Sequence, residues 1–165
     1  MAEHPPVLRF CDIDHDEITA LLGQYQLELC ITSKDRDIPG SYWGDEEAGL
    51  IGNKLYLRND TPLHSILHES CHYICMDNER RENLHTNAGS DIAEENAVCY
   101  LQILLADELS SLGRNRLFAD MDAWGYSFRL GSAKAWFEQD AEDALDWLLQ
   151  NELIDEKCHP LFRLR

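Results

Sequence analysis

Apolar and polar residues in the first half of the chain switch repeatedly between helical and strand spacing. Ile18, Leu21 and Leu22 fall on one side of a helix that Asp14 or Asp16 can cap and that runs to about Gly23. From Gln26 to Thr32 apolar residues alternate with polar ones, the period of a strand. Residues 33–44 are turn-rich, with a bend at Pro39-Gly40. Ala48-Gly49-Leu50-Ile51 and Lys54-Leu55-Tyr56-Leu57-Arg58 then flank Gly52-Asn53, which reads as a hairpin turn. In the second of these strands Leu55 and Leu57 face the core while Lys54, Tyr56 and Arg58 face outward. It is either an edge, with which an extended peptide could pair, or an internal strand.

Helical spacing dominates the rest. Leu63, Ile66, Leu67, Ser70 and Ile74 form one stripe, behind Thr61 as N-cap and Pro62 at the first helical position, and no glycine or proline follows until Gly89. A second helix opens at Asp91 and is almost wholly apolar from Ala97 to Ala106, so it must be central, with its acidic first turn at the edge of the core. Beyond Gly113, segments 122–128, 132–137 and 141–149 read as short amphipathic helices, with Ser132 and Asp140 as caps. Trp124, Trp136 and Trp147 are anchors that either pack this extension on the first part or form a partner surface. The expected fold class is α+β: a small sheet of about three strands, two long helices and a C-terminal helical extension. At 165 residues and 44% hydrophobic the chain can bury a core as one domain, 1–113 forming its main part and 114–165 the extension packed on it.

Set into the first long helix is His68-Glu69-Ser70-Cys71-His72. Side chains four apart share a helix face, so both imidazoles can reach one zinc ion, and Glu69 beside them can take a proton from a metal-bound water. His64, His68 and His72 form a ladder well round from the apolar stripe, bordering the buried face. A catalytic zinc needs a third protein ligand. Glu94, on the first turn of the second helix and three residues before the small Ala97, suits that role; it also fits the third position of a capping box, and Glu95 serves equally if the helix begins one residue later. Asp91 could orient a ligand imidazole.

His68-Glu69-x-x-His72 followed by a helix carrying Glu94-x-x-Ala97 resembles the gluzincin zinc metallopeptidases, and the short chain looks like their single-domain members, the minigluzincins and ImmA/IrrE-type proteases. The resemblance covers residues 14–106. It implies His68, His72 and Glu94 as zinc ligands, Glu69 as the base, and the order helix, strand, hairpin, metal helix, glutamate helix.

Charge narrows the partners. Fourteen basic against 31 acidic side chains give −17, a field that repels nucleic acid and anionic membranes. No apolar stretch is long enough to span a bilayer, and residues 1–6 have neither a basic start nor an apolar signal core, so a cytoplasmic location is expected. Six cysteines are then expected to stay reduced. Cys71, Cys75 and Cys99 are read as core residues, with a thiolate zinc site as the alternative. Between the two metal helices, Asp77 to Ser90 is polar and could reach over a cleft. His85 there, or Tyr100, is a candidate to stabilise an oxyanion. The sequence thus points to zinc-dependent hydrolysis of a peptide or protein substrate, or else to an inactive zinc-binding interaction module.

Overall fold

The computed structural model describes residues 6–41, 45–84 and 90–165, which fold as α+β with seven α-helices and one three-stranded sheet. The Asp14 carboxylate accepts from the Asp16 amide and starts α1 (His15–Gly23). The expected strand follows as β1 (Glu28–Ile31), and the hairpin as β2 (Gly49–Ile51) and β3 (Lys54–Leu57), with Gly52 at φ 60° in the turn. The strand order is β1-β3-β2. Leu29 pairs in parallel with Leu55, and Leu50 pairs with the same residue in antiparallel fashion. Because β3 is flanked on both sides, its backbone groups are already paired, and it is the internal strand of the two alternatives. Gly49 on β2 has no space for a Cβ, since the backbone of the Pro39-Gly40 bend crosses there.

The metal-motif helix, α2 (Leu63–Cys75), starts one residue later than expected, with Pro62 at the N-cap position. Thr61 turns its hydroxyl back to accept from the Arg58 amide instead of capping the helix. Residues 63–67 and 70–75 are all buried, which leaves only His68 and Glu69 partly open. The expected ladder of histidines bordering an apolar stripe is therefore corrected. The helix is interior, enclosed by β2, β3 and two helices from the second half of the chain, and it opens to solvent at one place.

Asp77 caps a short helix, α3 (Asn78–Glu82), in the segment expected only to be polar. The apolar helix α4 (Ile92–Ala106) begins as expected, with the Asp91 carboxylate accepting from the Glu94 amide at 2.8 Å. The extension differs in detail: α5 (Gly113–Trp124) ends at Gly125, φ 99°, and residues 126–128 are not helical. Ser132 caps α6 (Ala133–Gln139) as expected, while α7 (Glu142–Gln150) starts from Ala141 with no side-chain cap. One contiguous cluster of buried apolar side chains runs from Phe10 to Ile154 and takes in the sheet, α2, α4 and the extension. Among the described residues no helix is long and apolar enough to cross a membrane.

Candidate metal centre

His68 and His72 project from one turn of α2 with their Nε2 atoms 3.2 Å apart. The carboxylate that meets them is that of Glu95, 3.1 Å from each Nε2, one oxygen to each ring. All three ligand atoms lie within 4.8 Å of one another. Two donors bound at 2.0–2.1 Å to a tetrahedral ion stand about 3.3 Å apart, so the spacing fits a shared ion of zinc-like size. The chemistry of the donors agrees. Gln102 Oε1 lies 3.0 Å from His68 Nδ1 and takes that nitrogen's proton as a hydrogen bond, which turns the Nε2 lone pair toward the other two ligands. Gln102 is itself fixed, because its Nε2 donates to the His64 carbonyl at 2.8 Å. His72 lacks such a support; its Nδ1 is buried with no partner among the described residues.

The cluster is built to hold positive charge. Burial alone would raise the Glu95 carboxyl, but hydrogen bonds to His68 and His72 hold it well below the usual carboxylate range. Burial disfavours a charged His68, yet its pKa lies well above the ordinary value, and the group beside it that is ionised at neutral pH is the Glu95 carboxylate, which accepts its hydrogen bond. A proton is thus the simplest cation for this place, and a divalent ion would compete with it.

The expected third ligand, Glu94, is elsewhere. It is buried, with one oxygen 2.8 Å from Arg80 Nη2 and the other 3.1 Å from Arg165 Nη1. The helix boundary was legible; the phase was not. Successive residues on a helix point about 100° apart, and the stripe that faces α2 is Glu95, Cys99, Gln102, spaced four and three apart. Gln102, the one polar residue between Ala97 and Ala106, was the signal for that phase. Asp91 caps α4 and orients neither ligand ring, since His68 Nδ1 is held by Gln102 and His72 Nδ1 has no partner among the described residues.

A cleft of about 420 Å³ opens over His68 and Glu95, with His72 buried behind them, and is lined among others by Glu47, Glu69, Trp124, Tyr126 and Phe128. Burial raises the Glu69 carboxyl, with the two imidazoles opposing and Glu47 and Glu95 adding to the shift. Glu47 precedes β2, and its Oε1 accepts from the Trp124 indole N–H at 3.1 Å. The turn at Gly125 brings Tyr126 over the ligands. Its hydroxyl lies 3.0 Å from His64 Nδ1, its ring meets His68 edge-on, and burial pushes its pKa up to about 12. Sequence reading singled out Trp124 only as a packing anchor or partner surface and missed Tyr126 and Phe128 beside it, because aromatics after a helix carry no pattern of their own. Tyr100, expected as an oxyanion donor, instead stacks on Phe137 at 4.4 Å and does not line the cleft. His85 lies outside the described residues.

None of the six cysteines is paired. Cys71 and Cys75 are buried in the core, where burial pushes both thiols up. Among the described residues the His68, His72, Glu95 triad is the one group of potential ligands that converges. Compared with known protein families, with characterised proteins and with solved structures, the chain matches none.

Proposed function

We propose that the chain is a zinc-dependent peptidase of gluzincin type, with His68, His72 and Glu95 as ligands and Glu69 as general base. The observation that carries this reading is the convergence of two imidazoles and a carboxylate from the neighbouring helix, two of which, His68 and Glu95, line one cleft with a second, partly buried carboxylate, Glu69. When bound there, zinc supplies a Lewis acid and makes a water molecule acidic near neutral pH. Glu69 follows His68 directly on α2, so its carboxylate lies along the cleft floor and can take the proton of an attacking water, then return it to the leaving amine. Its raised pKa suits both halves of that transfer. The Tyr126 hydroxyl stays protonated at neutral pH and is a donor within the cleft for developing negative charge on the substrate carbonyl. The substrates are peptides or proteins rather than nucleic acid or membrane, in keeping with the net charge of −17.

The test is Glu69→Gln assayed beside wild type on a broad peptide library, with zinc content measured on both. Retained zinc and a loss of activity of about 10²–10⁴-fold is expected. Equal activity would remove Glu69 from the mechanism. Stoichiometric zinc without hydrolysis in wild type would leave a binding module.

A further inference from the structure

Once the triad and Glu69 have their roles, one carboxylate in the cleft is left over. Glu47 is half-buried, and the partner of its Oε1 is the neutral Trp124 indole, a contact that fixes the carboxylate without neutralising it. Trp124, Tyr126 and Phe128 stand along the same wall, and no lysine or arginine is among the described residues that line the cleft. His64, 1% exposed, also belongs to this wall; its Nδ1 meets Tyr126, and its Nε2 has no partner among the described residues. A fixed carboxylate beside aromatic faces is the chemistry that recognises organic cations. The fold already contains one such arrangement next door, where the Arg9 guanidinium lies 5.8 Å from the Trp124 ring centre and 3.4 Å from a Glu46 oxygen.

We propose that Glu47 and the Trp124, Tyr126, Phe128 wall form a subsite for a cationic group of the substrate, an ammonium or guanidinium carried close to the scissile bond. This rests on the peptidase reading and deepens it. Burial pushes the Glu47 carboxyl up, and an arriving cation would relieve that cost. The acidic surface as a whole would draw such substrates in.

The experiment uses the zinc-loaded full chain and matched peptides. One pair differs in lysine against norleucine beside the cleaved bond, and a second in a free against an acetylated N-terminus. A preference of about 10-fold or more in kcat/KM for the cationic member of one pair is expected, and the pair that shows it identifies side chain or terminus as the source. The preference should vanish in Glu47→Gln. Should that variant fail to fold, Trp124→Phe, which deletes the indole donor, should weaken the same preference. Hydrolysis of both members of each pair at equal rates would overturn the subsite while leaving the peptidase standing. Calorimetric titration of zinc-loaded Glu69→Gln with the lysine and norleucine peptides separates the two readings. Tighter binding of the lysine peptide supports the subsite even if wild type cleaves nothing, and equal binding of the two counts against it.

Discussion

Glu94 and Glu95 are adjacent in the chain and do unrelated work, because a single step around α4 carries one carboxylate to two guanidiniums and the other to two imidazoles. Substituting each by glutamine separates the roles. Glu95→Gln should bind zinc far more weakly and melt much as the wild-type protein without metal. Glu94→Gln should bind zinc almost normally but lose about 2 kcal/mol of stability, since Arg80 and Arg165 then face a neutral amide in place of a buried carboxylate. The loss stays below that of a wholly buried pair because the two arginine side chains are 36% and 33% exposed. Zinc titration and urea unfolding of both variants check this, and an exchange of the two phenotypes would return the ligand role to Glu94. His64 offers a test of a different kind. Burial pushes its pKa from an ordinary 6.5 down to about 3, so in the folded protein the ring is neutral. Below about pH 6.5 the unfolded chain takes up a proton that the fold refuses, and stability falls as the pH drops, by roughly 1.4 kcal/mol per unit for one full proton. Urea unfolding at several values between about pH 6.5 and pH 4.5 should show wild type losing stability relative to His64→Gln at close to that slope. A difference that does not change with pH would show that the ring takes its proton in the fold.

At the scale of elements, what sequence revealed and what it hid follow from how local each cause is. Caps and turns are local, so Asp14, Asp91 and Ser132 mark the starts of α1, α4 and α6, and Gly52-Asn53 marks the hairpin. The spacing of His68 and His72 is equally local, and the structure brings both to one point. The phase of α4 depends on which of its faces meets α2, a tertiary fact that the almost uniformly apolar run from Ala97 to Ala106 conceals. The internal position of β3 depends on β1 joining from across the sheet. The cleft wall depends on Gly125 turning the chain after α5, about fifty residues beyond the motif it covers. Gln102 links these levels, since it ties α4 to α2 through both ends of its amide. Gln102→Leu should fill the same space and keep both helices, yet leave His68 free to turn. A fall of about 10–100-fold in zinc affinity with an unchanged far-ultraviolet circular dichroism spectrum is expected. Wild-type affinity in that variant would mean that α2 alone aims the ring.

For the molecule as a whole, the candidate metal site either holds the fold or is held by it. The buried apolar cluster runs from Phe10 to Ile154, and of the triad His68 and Glu95 line an open cleft beside it, with His72 buried behind them. His68 can carry a proton where an ion would bind, and without metal the Glu95 carboxylate accepts from the imidazoles, so removing metal leaves no naked charge among the ligands. The metal-free protein should therefore keep its helices and unfold cooperatively, unlike small domains whose folding free energy is metal binding itself. Zinc would then act by mass action on the folded state alone. At free zinc about 100 times its dissociation constant the added stability is about 2.7 kcal/mol, which for a chain of this size raises the melting temperature by roughly 5–10 °C. Calorimetry with added zinc and with excess chelator measures both quantities. A chelated protein with no cooperative transition would mean that the ion is part of the core. A melting temperature that zinc leaves unchanged would mean that the triad does not bind it in the folded state.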